Sequence, residues 1–442
     1  MRIKLTEDVQ YILNKLKENN YEAFVVGGCV RDSILKRPLK DWDITTNALP
    51  NQIMKLFEHT IPTGIKHGTV TVVINEKYFE VTTYRLDGNY TDNRHPDEVI
   101  FTSSLQEDLS RRDFTINSLA YNEEHGLIDI FNGVCDLKNK LIKCVGDPDK
   151  RFNEDALRML RGIRFACELD FNIENNTYKA ICKNHALLQN ISFERIRDEF
   201  IKILLTSYPS RGIRMLQNTG LLKFIIPELN ECVGFDQKNP HHDKDVFNHI
   251  MAVLDNSPDI LAVRLAALLH DIGKPRTFTI DEKGIGHFYG HNMISADMAE
   301  IILKRLKFNS DIIKKVTIII KEHMSAYNIM KNKALKKFIA RVGVQNIEDL
   351  FELQIADSKG HNSNSDFSPI LKRREEVRKI LKSGEAFNIN HLKINGNDLI
   401  ELGIKPGKQI GIILNKLLDM VMEKPELNNK NSLINIVRDK YL

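Results

Sequence analysis

Apolar residues along this chain follow two rhythms. Through residue 150, short stretches of helical period alternate with stretches of period two, the pattern of mixed α and β structure. The spacing predicts a helix over Glu7–Glu18, then a strand over Ala23–Val26 that runs into Gly27-Gly28 and a second short helix. A further strand is expected over 41–45 and a helix over 50–59. A hairpin should follow, its arms Thr69–Ile74 and 78–84 meeting across Asn75-Glu76-Lys77. The polar, turn-rich stretch 86–97 reads as a loop, followed by a strand at Val99–Phe101 and two short helices within 105–119.

Beyond Asp147-Pro148 the strand rhythm fades. Asn153 reads as an N-cap, with Glu154 and Asp155 in the first turn of a helix over 154–164, where their charge suits the helix dipole. From there nearly everything has helical period, interrupted at 207–210, 235–240, 359–368 and 384–388. There is no internal repeat and no low-complexity tract. The expected fold class is α+β, an α/β head on a long all-helical body.

Composition narrows the picture. A chain of 442 residues holds several domains at roughly 100–200 residues each. With 42% hydrophobic and 28% charged residues it is globular rather than disordered or fibrous. The 63 Lys+Arg and 59 Asp+Glu leave +4, too small a bias to argue for a nucleic-acid partner, although a near-neutral total can hide local charge. Six scattered cysteines, with no Cys-x-x-Cys pair, suit free thiols in a reducing compartment, so a cytoplasmic location is expected. Residues 1–20 lack the continuous apolar core of a signal peptide or anchor, and apolar runs such as 316–320 are too short to span a bilayer.

Candidate chemistry in the head begins at Gly27-Gly28-Cys29-Val30-Arg31-Asp32. Glycines between a strand and a helix let backbone approach a phosphate closely, and Arg31 can add a bidentate contact; a tight turn is the plainer reading. Asp41-Trp42-Asp43 opens an expected strand, so its carboxylates share one face and can flank one or two Mg²⁺. Glu80, on the expected neighbouring strand, can add a third. A solvated acidic edge fits the same pattern. In Arg111-Arg112-Asp113-Phe114-Thr115-Ile116-Asn117, the arginines can neutralise a polyphosphate, and Asp113 and Asn117 share a helix face. Asp155 and Arg158, neighbours on the expected helix, can imitate the donor–acceptor edge of a base, or form a simple surface ion pair.

Together these motifs, with 193–199 (Phe-Glu-Arg-Ile-Arg-Asp-Glu), resemble the bacterial class II tRNA nucleotidyltransferase/poly(A) polymerase family. The resemblance implies a nucleotidyltransferase head in which Asp41 and Asp43 hold catalytic Mg²⁺, and Glu80 is expected beside them as a third catalytic carboxylate. It implies that Gly28, Arg31 and Arg112 hold the triphosphate, and that Asp113 and Asn117 favour ribose. Asp155 and Arg158 would pair with the edge of CTP or ATP, with Arg161 and Arg164 in support. The protein would then serve as its own template for adding CCA to tRNA. The segment 84–96 is similar to the flexible loop needed for the final A, with His95 where many members carry arginine. Within the class, the alternatives are an A-adding enzyme or a poly(A) polymerase.

The body carries His249, His270-Asp271, His291, His323 and Asp357, with His270-Asp271 ending the apolar run Leu261–Leu269. Nitrogen and oxygen donors in that order suit a divalent metal. Residues 236–370 resemble the HD metal-dependent phosphohydrolase family. The resemblance implies that His249, His270, Asp271 and Asp357 are ligands, that His291 and His323 are further ligands or phosphate contacts, and that the cation is Ni²⁺, Mn²⁺, Fe²⁺ or Mg²⁺. A different-class alternative is an HD phosphohydrolase whose head merely binds RNA.

Two basic clusters, Lys331, Lys333, Lys336, Lys337 and Arg341, then Lys372, Arg373, Arg374, Arg378 and Lys379, can follow an RNA backbone or simply be solvated helix faces. Residues 394–411 resemble the tRNA-gripping tail of bacterial CCA enzymes with HD domains. The expected division is a head at 1–150, neck helices at 151–235, an HD domain at 236–370 and a tRNA-binding tail at 371–442.

Overall fold

A computed structural model describes residues 2–39, 41–88, 99–238, 244–327, 330–361 and 366–442. The chain divides into two compact units, Met1–Pro227 and Glu228–Leu442.

The first unit holds eleven strands among its described residues: β1 (Ala23–Val26), β2 (Asp43–Thr46), β3 (Thr60–Gly64), β4 (Thr69–Ile74), β5 (Lys77–Thr83), β6 (Arg85–Asp87), β7 (Val99–Phe101), β8 (Ala120–Asn122), β9 (Gly126–Ile128), and the short parallel pair β10 (Leu141–Ile142) and β11 (Asn172–Ile173). Seven of them form one mixed sheet in the order β3-β4-β5-β2-β1-β8-β9, while β6 pairs with β7. The apolar run Phe24–Val26 is buried on both faces, as expected of a central strand. β2 lies beside it and runs parallel to β5, which places Asp43 directly across from Glu80. The threonines of β2 are fully buried and satisfied: Thr45 Oγ1 reaches Asp108 at 3.2 Å, and Thr46 Oγ1 donates to the Glu22 carbonyl at 2.6 Å.

Several expectations change. The strand expected over 41–45 begins at Asp43, so Asp41 precedes it rather than sharing a pleated face. The helix expected over 50–59 ends at Leu56, because Phe57 turns extended (φ −110°, ψ 137°) and feeds β3. Leu86 and Asp87 belong to β6 rather than to a loop. β3, β8 and β9 are not among the expected strands; β3 carries Pro62 and ends on Gly64, and β8 and β9 have three residues each.

The helix expected over 154–164 is really two. Asp147 caps Pro148–Glu154 by accepting from the Asp149 N–H, and Asn153 lies in the last turn of that helix instead of at a start. Asp155 then breaks away (φ −139°, ψ 103°), and Leu157–Leu169 follows. The cause is local: the Asp155 carboxylate accepts from the Leu157 N–H at 3.1 Å, the cap chemistry by which aspartate competes with a continuous helix.

The second unit is helical apart from one two-stranded ribbon. Helices Val246–Asn256, Leu261–Leu269, Ser310–Glu322 and Val344–His361 pack around one another, with His291–Arg305 against them. Helices Gly396–Glu401, Lys408–Glu423 and Lys430–Tyr441 close around a separate apolar cluster centred on Leu399, Leu417 and Leu433. The break expected from residue 359 is displaced, since helix Val344–His361 runs through Gly360. No helix among the described residues is long and apolar enough to cross a membrane.

Candidate active cleft and a second metal centre

The cleft of the first unit begins where β1 ends. Gly27 has φ +77°, and a Cβ there would lie 3.2 Å from Arg112 Nη1 and 4.0 Å from Asp43 Oδ2. Only glycine permits both that backbone and that approach. The turn therefore brings a guanidinium and a carboxylate against bare backbone. Asp43 stays accessible to solvent, yet the packing around its carboxylate raises its pKa, with Asp41 adding to the rise and Arg112 opposing it. Glu80 is raised likewise, by desolvation and then by Asp43 and Asp41. The three expected carboxylates thus repel one another beside the central β2–β5 pair of the sheet. Hard oxygen donors under mutual repulsion fit a divalent cation.

Behind them is a cavity of about 420 Å³. Six of its lining residues are arginines, Arg31, Arg111, Arg112, Arg158, Arg161 and Arg195, against the aspartates Asp43, Asp113 and Asp155. Arg31 Nη1 donates to Asn117 Oδ1 at 2.6 Å, Asn117 Nδ2 to Asp113 Oδ1 at 3.1 Å, and Arg161 Nε to Asp113 Oδ2 at 2.8 Å. Burial alone would raise Asp113, but Arg161 and Asn117 outweigh it and hold the carboxyl at about 2. Arg164 stands outside the lining. It is stacked 3.9 Å over the Phe165 ring and pairs with Glu199 at 2.6 Å.

Asp155 and Arg158 are not paired with each other. Asp155 Oδ2 accepts from Arg195 at 2.9 Å, while Arg158 Nη1 donates to Glu154 at 2.7 Å. Both side chains nonetheless line the cavity, held by partners that sequence spacing did not single out. Asp108 was also missed. Its fully buried carboxylate grips Arg111 at 2.8 Å and Arg112 at 3.4 Å, an i,i+3 and i,i+4 pattern visible in the sequence. Arg112 Nε and Arg195 Nη1 are buried without a hydrogen-bond partner, so the cavity wall holds unfilled donors. Residues 89–96 of the expected flexible loop, including His95, lie outside the described residues.

In the second unit all six expected ligands converge. His249 Nε2 lies 3.1 Å from Asp357 Oδ1, His270 Nε2 3.3 Å from Asp271 Oδ2, and His291 Nε2 3.3 Å from Asp271 Oδ1. His323 Nε2 is 3.4 Å from His291 Nε2. Three imidazoles are oriented from behind by backbone: the carbonyls of Ala267, Phe288 and Ile320 accept from Nδ1 of His270, His291 and His323 at 2.8, 2.7 and 2.6 Å. A carbonyl opposite Nδ1 requires the proton there, which leaves the Nε2 lone pairs aimed inward. His270 Nε2 and Asp357 Oδ1 are buried with no directed hydrogen bond. These are acceptors facing acceptors, and they fit a metal ion between them.

Burial would push Asp271 and Asp357 up, but the imidazoles when protonated, with Lys274 beside Asp271, prevail and hold both well below the usual carboxylate range. Lys274 was not read as part of this site, yet its ammonium lies 2.8 Å from Asp271 and 2.9 Å from Gln237 Oε1. The basic clusters, by contrast, are largely spent on the fold. Lys336 is fully buried against Glu385, Lys337 pairs with Asp419, Arg341 with Glu322, and Arg374 and Arg378 both hold Glu348.

Residues 23–143 match the family described as Poly A polymerase head domain, residues 170–233 that described as Probable RNA and SrmB-binding site of polymerase A, and residues 243–359 the HD domain. The chain is 36% identical to the CCA-adding enzyme of Pediococcus pentosaceus, over 98% of this chain and 97% of that protein. It is also 36% identical to that of Ligilactobacillus salivarius, over 96% and 94%. Among solved structures it is similar to the Bacillus stearothermophilus CCA-adding enzyme in complex with CTP, at TM-score 0.72 and 28% identity over 99% of this chain and 100% of that one. It shares the fold of the Thermotoga maritima CCA-adding enzyme complexed with tRNA, at TM-score 0.61 and 20% identity over 99% of this chain and 100% of that one.

Proposed function

The chain belongs to the CCA-adding enzyme family, and from that premise we propose that it adds CCA to the 3′ end of tRNA from CTP and ATP by template-independent nucleotidyl transfer. The observation that supports this most is the parallel pairing of Asp43 with Glu80 beside the Gly27 turn, within reach of Arg112. Asp41 and Asp43, with Glu80 from the next strand, hold the divalent cations, and their all-oxygen set favours Mg²⁺. When bound, those ions activate the terminal 3′-hydroxyl and neutralise charge on the departing pyrophosphate.

The remaining residues bind and orient. The Gly28 backbone, Arg31 and Arg112 receive the triphosphate, the unfilled Nε of Arg112 being one waiting donor. Asp113 and Asn117 select the ribose. Asp155 and Arg158 read the base, held in place by Arg195 and Glu154, while Arg161 and Arg164 brace the wall. Incubation with tRNA lacking its CCA end, plus CTP and ATP, tests this: addition of C, C and A is expected. Addition of A alone, or a long A tract, would instead identify an A-adding enzyme or a poly(A) polymerase.

The orphaned acceptors of the second unit favour a second activity, metal-dependent hydrolysis of terminal or cyclic phosphates. Its imidazole-rich donor set suits Mn²⁺, Fe²⁺ or Ni²⁺ better than Mg²⁺. Functionally we divide the chain at 1–150, 151–235, 236–370 and 371–442. Free cysteines throughout the described residues and tRNA as substrate accord with a cytoplasmic enzyme.

A further inference from the structure

His361 lies outside the six-residue ligand pattern legible in the sequence, on the last turn of helix Val344–His361. Its Nε2 is 3.5 Å from Asp357 Oδ1, the same oxygen that His249 Nε2 approaches at 3.1 Å. The two rings are stacked, with centroids 4.6 Å apart and planes at 27°, so their Nε2 atoms converge on that oxygen from adjacent layers. The cause can be traced to Gly360. A Cβ at that position would lie 2.6 Å from Val253 Cγ2 and 3.1 Å from the Val253 backbone nitrogen. Only a glycine lets this helix end come so close to helix Val246–Asn256, and the close approach is what lays His361 over His249, one turn before Val253. Lys244 fixes the arrangement by donating to the Gly360 and His361 carbonyls at 3.3 and 3.0 Å.

The donor atoms of the centre fall into three overlapping trios, each closed to within 4.8 Å: His249, His270 and Asp271; Asp271, His291 and His323; and His249, Asp357 and His361. Only the third contains His361. It is also the trio nearest solvent, because the His361 side chain is 21% exposed where that of Asp357 is 7%. Asp357 Oδ1, shared by both imidazoles, has no directed hydrogen bond.

We propose that His361 is a seventh metal-directed residue, which with His249 and Asp357 holds a divalent cation at the outer end of this centre. The proposal rests on the reading of the second unit as a metal site. Three donors of mixed nitrogen and oxygen leave coordination positions open toward solvent, where a phosphate oxygen can bind.

The test is a Co²⁺ titration of the full chain, followed by calorimetry and by absorption of the bound ion, with His361→Ala, His361→Cys and His270→Ala. Losing this imidazole should weaken one Co²⁺ by tenfold or more, about the scale on which metal sites respond to loss of a supporting group. His361→Cys should add a thiolate-to-Co²⁺ charge-transfer band absent from the unsubstituted protein, a direct sign of ligation that a merely structural role would not give. Unchanged affinity in His361→Ala, or a Co²⁺-loaded His361→Cys without that band, overturns the proposal. His270→Ala separates the two levels: if it too binds Co²⁺ like the unsubstituted protein, the metal-site reading itself fails.

Discussion

The two candidate sites are unfinished in opposite senses. The cleft of the first unit is walled by guanidiniums, and what it leaves unfilled are donors, Arg112 Nε and Arg195 Nη1. The centre of the second unit leaves unfilled acceptors, His270 Nε2 and Asp357 Oδ1. Buried donors without partners call for an anion, and buried acceptors without partners call for a cation. The first site also differs in being internally satisfied. Arg31, Arg158 and Arg161 each hold an internal partner, and on the proposed reading nucleotide binding exchanges those hydrogen bonds for others. The second is fixed from behind by backbone carbonyls and has little freedom to rearrange. A cleft that must accept two different bases gains from exchangeable partners, whereas a metal centre gains from rigidity.

The contrast can be broken by substitution. Asp43→Ala should lower nucleotide addition by ~10³-fold, the scale of losing one electrostatic stabiliser of a transition state. Cation binding in the second unit should be unaffected, and if addition survives in the variant the carboxylate assignment is wrong. The converse experiment is thermal. Mn²⁺ at 100 times its dissociation constant should stabilise the second unit by about 2.7 kcal/mol, and chelation should reverse the gain. His270→Ala should weaken that response, whereas Asp43→Ala should keep it. A melting curve indifferent to Mn²⁺ would remove the cation reading.

The internal pairing in the cleft makes a smaller prediction. If Asp155 reads the base only while Arg195 aims it, Asp155→Ala and Arg195→Ala should both erode selection of CTP and ATP over UTP and GTP. A lost polar pair at a base edge is worth ~2 kcal/mol, roughly 30-fold in selectivity. Competition between the four nucleotides in single-turnover addition measures it. Selectivity lost in Asp155→Ala but intact in Arg195→Ala would show that the ion pair is incidental.

How much of this was legible in sequence depended on whether the chemistry was local. The Gly27-Gly28 turn, the pairing of Asp43 with Glu80 and the six-ligand pattern were readable because short motifs or strand period carried them. Asp155 was misplaced for a physical reason: its charge and spacing suit a helix start, but its carboxylate caps the next helix and bends the chain toward Arg195, forty positions away. The lysines of helix Asn332–Val342 look like an RNA-binding face until their acidic partners are brought in from afar, Glu385 from the loop after helix Ser368–Ser383 and Asp419 from helix Lys408–Glu423. His361 was obscured because Gly360 resembles a helix stop, whereas in the fold it is a point of close packing.

Asp113 offers the mildest way to sharpen the contrast, because its charge network can be titrated without metal or substrate. Its carboxyl is held at about 2 in the fold, against ~3.9 for an unfolded aspartate. A folded value below the unfolded one means that the contribution is fully present above pH ~4 and is lost as pH falls toward 2. The shift corresponds to ~2.6 kcal/mol at most, and its coupling to Arg161 in a buried network makes 1–2 kcal/mol the working figure. Other buried carboxylates titrate nearby, so the informative quantity is a difference. Asp113→Asn should be less stable than the unsubstituted protein at pH 7 by about that amount, and the gap between them should close between pH 4 and 2. Denaturant unfolding of the two proteins across that range measures it. A gap independent of pH would mean that Asp113 acts through its hydrogen bonds to Asn117 and the Phe114 N–H rather than through charge, and the cleft's arginine network would then owe its order to packing.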